Sequence, residues 1–291
     1  MREVTSAVPG NRCRPRALIL IAGALLVQSA YPQIADIRKD SFETGAIQTS
    51  LWNASDTDGC SISVQTGGAA EGKHYMRSTL TSKEGGGNYR CELNGKGMGP
   101  SGFDGITLYY GISYRIPAAT QYDAEVGDTL TQWFQNPNTG GGGCHQVVQI
   151  KDKVLQWHNH NCGGVGGGDV TLLSPVPKDT WVRVCKKAKW TTNDDGEIKV
   201  WVNPTSESSS PVKSYSGQTL IDEYTQIVKF KIGNYKPTWR TVHPPPNMAA
   251  MSPRIFDIDD VRVGASFADA CGAGSVAPIP IPKPPISVAV E

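Results

Sequence analysis

The chain has almost no excess charge of either sign, because its 291 residues include 28 Lys and Arg residues and 27 Asp and Glu residues. A protein that holds nucleic acid or an anionic membrane through its general electrostatic field needs a marked positive excess. Neither partner is therefore expected. Any anionic ligand has to be bound by a local basic site.

Long apolar runs are also lacking. The most apolar segment, Ala17–Val27, is too short to cross a bilayer, which takes about 20 residues. It follows a group of arginines and precedes the small residues Ser29 and Ala30, an arrangement typical of a secretory signal peptide. We expect residues 1–30 to be removed and the mature protein to be extracellular; a buried helix is the alternative.

No Cys-x-x-Cys pair occurs, which argues against a structural zinc site. An even number of cysteines remains beyond the expected signal peptide, which favours disulfides in a secreted chain, and six cysteines allow fifteen pairings. Cys144 and Cys162 flank a predicted hairpin turn at 151–153 symmetrically, so we expect them to pair. That register places Gln149 on one face with Trp157. The four remaining cysteines allow three pairings; we expect Cys60–Cys91 with Cys185–Cys271, and the other two pairings stay open.

The pattern contains no long amphipathic helix, and 32 Gly and 20 Pro residues favour short strands joined by turns. Segments rich in β-branched and aromatic residues predict strands at 74–80, 105–116, 129–134, 146–151, 154–158, 181–190, 197–202, 227–235 and 255–263. We therefore expect an all-β jelly-roll sandwich of two antiparallel sheets with a concave groove over residues 31–271. The Pro-rich residues 272–291 predict an extended tail.

Three segments carry polar residues where a core strand would be apolar, at 88–94, 131–134 and 229–236. Alternate residues of a strand share one face, so Lys231 and Tyr235 are expected to lie on the same side. A groove lined with Arg, Lys, Gln, His and Tyr suits an anionic sugar chain. The ordinary alternative is a solvated polar face.

These segments resemble the polysaccharide lyases of concanavalin-like jelly-roll fold, which include glucuronan lyase, the heparin lyase I type and, more distantly, the alginate lyases. The resemblance spans about residues 40–265. Tyr89-Arg-Cys-Glu-Leu93 is similar to their Arg-x-Glu-Leu strand, Tyr109–Pro117 to the following aromatic strand, Leu130-Thr-Gln-Trp-Phe134 to their Gln-x-His strand, Lys231-Ile-Gly-Asn-Tyr235 to their Lys-x-Gly-x-Tyr strand, and Phe256–Gly264 to the last strand of the sandwich.

The resemblance implies β-elimination on a β-1,4-linked uronic acid polysaccharide, glucuronan-like first, then alginate or a glycosaminoglycan. The substrate carboxylate has to be neutralised before the C5 proton can leave, and a base and an acid are then needed. The resemblance implies Tyr235 as that base and acid, with Arg90 and Gln132 at the carboxylate. It implies no cofactor for the chemistry.

A histidine is harder to place, because Phe134 stands where the family pattern has histidine. His74, on an early strand, is the preferred catalytic histidine, and His158 and His160 are the alternatives. Further substrate-binding residues are expected at Tyr89, Trp133, Gln149, His158 and Lys231.

A structural calcium ion is also expected, since jelly-roll carbohydrate proteins often hold one between an early and a late strand. Glu43 or Asp40 would provide one side of the site, and Asp257 or Asp260 the other, because oxygen-only ligation suits a hard cation. The alternative for the late carboxylates is a solvated strand end. His158 and His160 lack an evident third ligand for a transition metal.

Two other functions fit the same fold. One is a carbohydrate-binding sandwich without activity, which Phe134 in place of histidine favours. The other is a glycoside hydrolase, which needs two facing carboxylates, and no Glu-x-Asp-x-x-Glu strand is evident. Nothing in the sequence indicates an oligomer, so a monomer that binds an anionic polysaccharide is expected.

Overall fold

The structure is a computed structural model that describes residues 38–56, 59–81, 89–99, 105–124, 127–135, 144–160, 168–220, 228–237 and 252–272. The expected signal peptide, the Pro-rich tail, Cys162 and the side chains of Cys144 and His160 lie outside this description. The expected Cys144–Cys162 disulfide therefore stays a prediction. No helix in these ranges is long and apolar enough to cross a membrane.

The described residues form two antiparallel sheets, one of eight strands and one of seven. The first, called the back sheet, consists of β1 (Arg38–Asp40), β3 (Cys60–Thr66), β4 (His74–Leu80), β6 (Ile106–Arg115), β11 (Val182–Trp190), β12 (Glu197–Val202), β13 (Lys213–Ser216) and β15 (Arg254–Gly264). The second, called the groove sheet, consists of β2 (Trp52–Asp56), β5 (Arg90–Gly95), β7 (Asp128–Gln135), β8 (Cys144–Lys151), β9 (Val154–His160), β10 (Gly168–Leu173) and β14 (Val228–Tyr235).

Strands adjacent in space are often far apart in the chain, as a jelly roll requires. The back sheet runs β13-β12-β11-β6-β15-β4-β3, with β1 paired to β15, and the groove sheet runs β10-β9-β8-β7-β14-β5-β2. The predicted fold class is confirmed, and the strands predicted at 74–80 and 197–202 have those bounds. Short or polar strands such as β1, β10 and β13 were not predicted, nor was the short helix α1 (Phe267–Cys271).

Aromatic rings from both sheets form the core. Tyr110 of the back sheet packs edge-on against Trp133 of the groove sheet, with ring centroids 5.4 Å apart, and Phe230 lies 5.7 Å from Trp133. Such pairs contribute about 0.5–1.5 kcal/mol each beyond the apolar area that they bury. This core holds the groove sheet as a rigid support for the side chains on its other face.

Two disulfides connect parts of the sandwich. Cys60 of β3 bonds Cys91 of β5, which joins the back sheet to the groove sheet, and Cys185 of β11 bonds Cys271 at the end of α1. Both pairings confirm the preferred prediction for these four cysteines. Each closes a long loop and stabilises the fold by roughly 3 to 5 kcal/mol on the chain-entropy model.

The hairpin of β8 and β9 has a different register from the one predicted. Val148 pairs with Trp157 and Gln149 with Gln156, because the turn contains two residues and Lys151 pairs with Val154. A shift of one residue moves a side chain to the other face of a strand. The prediction that Gln149 shares a face with Trp157 is therefore wrong, and Gln149 lies on the same face as His158.

Lys186 of β11 is fully buried between the sheets and offers a test of the packing. Its ammonium donates to Gln146 Oε1 and lies 3.8 Å from the Trp133 ring centroid and 4.6 Å from that of Trp190. Within the described part of the chain, no carboxylate pairs with it. Burial therefore holds the pKa of Lys186 well below its ordinary value of 10.5.

We expect the unfolding free energy to rise with pH between that lowered pKa and about 10.5, because in this interval the unfolded chain binds more protons than the folded one. One such group contributes a slope of up to about 1.4 kcal/mol per pH unit. Denaturant unfolding at several pH values should show this slope in the wild type and lose it in Lys186→Met. Lys73→Met, which removes an exposed ammonium, is the control and should keep it. Equal slopes in wild type and Lys186→Met would contradict the assignment.

Candidate functional site

Two rows of side chains cross the outer face of the groove sheet, and we call this surface the groove face. Each residue of a row pairs with the next one on the neighbouring strand. The first row is Asn94, Lys231, Gln132, Val147, His158 and Asp169, and the second is Arg90, Tyr235, Thr129, Gln149, Gln156 and Thr171. A sheet that is predominantly apolar on its core side thus presents mainly polar groups on the other.

Two irregularities in the pairing bring Tyr235 and Thr129 into the second row. The register of β14 against β7 shifts between Ile232 and Tyr235, and that of β7 against β8 shifts between Thr129 and Thr131. Bulges of this kind re-aim side chains next to active sites. Gly233 lies in the β14 shift with φ of 137°, where a Cβ would collide with the carbonyl oxygen of Cys91. The glycine of this motif is therefore a steric requirement.

A pocket opens at the centre of the groove face. Its volume is about 310 Å³, and its lining residues come from four strands and the segment after β14. They are Thr129, Gln132, Val147, Gln149, His158, Tyr235 and Pro237. Tyr235 and His158 thus border the same space, although three strand spacings separate β14 from β9.

A buried carboxylate, Glu92, lies beside this pocket. Its side chain is 1% exposed, and its Oε1 accepts a hydrogen bond from Gln132 Nε2. Its Oε2 lies 3.2 Å from Arg90 Nε and 3.8 Å from Lys231 Nζ. One carboxylate therefore contacts three groups of the groove face and restrains all of them.

The electrostatics of this cluster favour an anionic ligand. Burial raises the pKa of Glu92, while the charges of Lys231 and Arg90 act in the opposite direction. Burial lowers the pKa of Lys231, which Glu92 partly offsets. With all three groups ionised, two cations face one carboxylate, so the cluster keeps an excess positive charge toward the groove.

Arg90 also stacks on the candidate base. Its guanidinium carbon lies 4.2 Å from the centroid of the Tyr235 ring, within the range of a cation–π contact. The pairing of Tyr235 with Arg90 between β14 and β5 holds the two side chains together. A cation thus lies over the aromatic ring of Tyr235.

At the other end of the rows, His158 and Asp169 form a pair. The Nδ1 of His158 lies 2.6 Å from Asp169 Oδ1, and Gln149 Nε2 donates to the same oxygen at 3.2 Å. Gln149 Nε2 also contacts Gln156 Oε1 at 3.2 Å. A carboxylate accepts from the protonated Nδ1 and so fixes the orientation of the imidazole.

The structure brings together six of the residues expected from the sequence. Arg90, Gln132, Gln149, His158, Lys231 and Tyr235 all lie on the groove face. It does not bring His74 to them, because His74 begins β4 in the back sheet and lies beside Glu43, with Nδ1 3.7 Å from Oε2.

Two further residues that were expected to bind sugar are buried and do not reach the groove face. Trp133 is 1% exposed and packs in the core between the sheets. Tyr89 is 2% exposed and packs with Leu80 near the Cys60–Cys91 disulfide. Neither ring can stack on a sugar, because apolar burial in the sandwich already covers both.

Three residues of this face, Glu92, Asp169 and Gln156, are not among those predicted from the sequence. Glu92 belongs to the Arg-x-Glu-Leu motif, and its spacing of two from Arg90 is the signal that places both residues on one face. Asp169 lies on β10, which was not predicted as a strand. The position of Gln156 depended on the hairpin register, which was predicted one residue out.

The carboxylates expected to hold calcium have other partners in the structure, and the calcium site stays a prediction. Asp257 is paired with Arg115 at 2.9 Å, Asp260 with Arg183 at 2.5 Å, and Glu43 accepts two backbone N–H groups at the start of β4. Each is already neutralised by a cation or by hydrogen bonds. In the part of the chain that the structure describes, no three His, Cys, Asp or Glu residues are grouped so as to hold a metal ion.

Comparison with solved structures finds the same fold in a fungal lyase and in a bacterial β-glucanase. The endo-β-1,4-glucuronan lyase of the fungus Trichoderma reesei matches with a TM-score of 0.61 and 20% identity, over 76% of this chain and 94% of that one. The β-glucanase of Bacillus licheniformis matches with a TM-score of 0.50 and 14% identity, over 80% and 100%. The alginate lyase vAL-1 of a Chlorella virus gives 0.49 and 14%, over 77% and 96%.

Among curated protein sequences, none matches this chain significantly. A family model described as polysaccharide lyase, however, matches residues 42–261, which is well over half of the chain. The resemblance seen in the strand motifs is thereby confirmed. The chain belongs to the polysaccharide lyase family and is a polysaccharide lyase.

Proposed function

We propose that this enzyme cleaves a β-1,4-linked uronic acid polysaccharide of the glucuronan type by β-elimination and leaves an unsaturated uronate at the new non-reducing end. The observation that carries the proposal is the placement of Tyr235 in a pocket with Gln132, with Arg90 stacked on its ring. These groups match the three tasks of the reaction: carboxylate neutralisation, proton abstraction and leaving-group protonation.

Arg90 and Gln132 neutralise the substrate carboxylate. Hydrogen bonds and positive charge at its two oxygens stabilise the negative charge that moves onto them when the C5 proton leaves. Glu92 holds both side chains from below, through the Gln132 amide and the Arg90 guanidinium. The neutralising groups are therefore oriented before the substrate binds.

Tyr235 acts as base and then as acid. As phenolate it takes the C5 proton, the C–H electron pair forms the C4=C5 double bond, and the C4–O bond breaks with its electrons on the leaving oxygen. The phenol then gives the proton to that oxygen. In β-1,4-linked glucuronate the C5 proton and the C4 oxygen lie on the same side of the ring, so one residue can perform both transfers.

His158, and not His74, is the catalytic histidine in this proposal, because His158 borders the pocket and His74 lies in the other sheet. A hydrolase on the same face is less well supported, since it needs carboxylates about 5–9.5 Å apart. Of the described carboxylates on this face, Glu92 and Asp169 lie five strands apart, which is roughly 24 Å at about 4.8 Å per strand.

The test is ultraviolet absorbance of the mature protein mixed separately with glucuronan, alginate and heparin. We expect absorbance from the unsaturated uronate with glucuronan first, and no loss of rate with chelator, because the proposed chemistry uses protein groups alone. If only alginate or only heparin is cleaved, that polymer and not glucuronan represents the substrate class. Binding of a polymer without any new absorbance would overturn the elimination.

We also propose that the enzyme is secreted as a monomer. The disulfides Cys60–Cys91 and Cys185–Cys271 support secretion, because such bonds persist in oxidising compartments. The mass of the protein recovered from culture medium should correspond to a chain that starts near residue 31, and sedimentation should give one chain per particle. A retained N-terminus in the cell fraction would contradict secretion.

Glu92→Gln tests whether the buried carboxylate positions its neighbours. The variant keeps the shape and an acceptor for Gln132 but loses the ion pairs with Arg90 and Lys231. We expect kcat to fall about 10- to 100-fold, because small displacements of positioning groups have effects of that size. Steady-state kinetics with circular dichroism of the folded variant measure this. Glu197→Gln, a paired glutamate on the back sheet, should leave kcat unchanged; an unchanged kcat in Glu92→Gln would contradict the role.

A further inference from the structure

The groove face is charged differently at its two ends. At the β5–β14 end lie Arg90 and Lys231, with Glu92 buried beneath them. At the β9–β10 end lies Asp169, whose side chain is 42% exposed. Within the described part of the chain, His158 is the single basic group in ion-pair distance of Asp169.

The two rows indicate how a polysaccharide lies across these ends. In the second row, hydrogen-bonding side chains follow one another from strand to strand, from Tyr235 through Thr129 and Gln149 to Gln156. An extended sugar chain laid across the strands would meet one polar group after another at about 4.8 Å. With the reacting uronate over the pocket, its neighbour on one side meets the amides of Gln149 and Gln156 and the Asp169 carboxylate.

We infer that the subsite formed by Gln149, Gln156, His158 and Asp169 binds an uncharged sugar and disfavours a second uronate. The inference rests on the proposed function and refines it: the enzyme cleaves glucuronan, but it cleaves faster at a reacting uronate whose neighbour in this subsite is a neutral sugar. Amide groups and a carboxylate hydrogen-bond hydroxyl groups of such a sugar. A uronate there would bring its own carboxylate beside that of Asp169, and like charges repel.

The probe is glucuronan in which a part of the carboxyl groups has been reduced to primary alcohols, so that linkage and backbone stay the same. We expect the wild-type kcat/KM per remaining uronate to rise on partial reduction. In Asp169→Asn, which keeps an acceptor for His158 Nδ1, kcat/KM on unreduced glucuronan should rise about fivefold, and added salt should shrink the difference. Asp169→Asn should have equal kcat/KM values per uronate on the reduced and unreduced polymers.

Asp152→Asn is the matched control. It removes the same charge at the exposed β8–β9 turn, where φ is 48° and asparagine is well tolerated. It should behave as the wild type, which separates the subsite from the net charge of the protein. The inference is overturned if the wild type has the higher kcat/KM on the fully charged polymer and Asp169→Asn lowers that kcat/KM. This result would show that His158 binds a second carboxylate. An equal response in both Asn variants would also overturn it.

Failure of the proposed function gives a different result. If no polymer develops absorbance, the elimination is wrong, and binding of the same two polymers by calorimetry still decides the subsite. Tighter binding of the reduced polymer, lost in Asp169→Asn, supports it. Equal binding of the two polymers by the wild type overturns it.

Discussion

Tyr235→Phe should lose at least about 1,000-fold in kcat on the best polymer, because the variant lacks the oxygen that takes and returns the proton. General acid–base groups contribute about 10²- to 10⁴-fold each, and Tyr235 is proposed to perform both transfers. The ring itself remains, so its packing against Arg90 at 4.2 Å should persist. We expect KM and the melting temperature to stay near the wild-type values.

The control is Tyr215→Phe, which removes a half-buried hydroxyl on β13 that donates to the Gln218 carbonyl at 3.1 Å. Its kcat should equal that of the wild type. The measurement is the initial rate of ultraviolet absorbance at saturating polymer, with tyrosine variants checked for equal melting temperature. A Tyr235→Phe enzyme with substantial turnover would contradict the mechanism and leave His158 as the candidate base.

Asp128→Ala should lower the unfolding free energy by about 3–5 kcal/mol, the size expected when one partner of a buried ion pair is removed. Asp128 is buried and accepts from Arg254 Nε at 3.1 Å and from Lys236 Nζ at 3.4 Å. Arg254 and Lys236 are buried as well. Removing the carboxylate leaves these cations with less compensation in a low-dielectric site. For a domain of this size, the melting temperature should fall by roughly 10 °C.

Asp195→Ala provides the comparison, since it removes a carboxylate from the surface pair with Lys189, where the Asp195 side chain is 62% exposed. Solvent and salt screen such a pair, so we expect no measurable change in melting temperature. Thermal unfolding followed by circular dichroism measures both variants. Equal melting temperatures for Asp128→Ala and the wild type would contradict the role of this ion-pair cluster.

The Asp128 cluster also bears on catalysis, because Lys236 directly follows Tyr235 and is tied to Asp128 and to Asp123, the latter at 2.8 Å. These contacts fix the end of β14 where the phenol leaves the sheet. Below its melting temperature, Asp128→Ala should therefore show a reduced kcat in addition to its lower stability. Asp128→Ala and Tyr235→Phe are distinguished by melting temperature, which changes only in the first.

The sequence by itself determined the fold class and much of the site. Period-two alternation and turn residues located most of the longer strands, since these patterns reflect local backbone geometry. Motifs within single strands placed Arg90, Gln132, Lys231 and Tyr235, because residues two or four apart on a strand share a face. The disulfides Cys60–Cys91 and Cys185–Cys271 were the preferred pairing among the three that the remaining cysteines allow, and both are present.

The tertiary structure decided which face and which neighbour each residue has. In the structure, Trp133 lies in the core and His74 lies in the back sheet. Asp257 and Asp260 pair with arginines from distant strands. The tertiary structure also set the β8–β9 register and brought Asp169 beside His158. Alternation shows which residues share a face, but it carries no information on which face meets the other sheet or which strands pair. Long-range pairing and packing of the two sheets determine both.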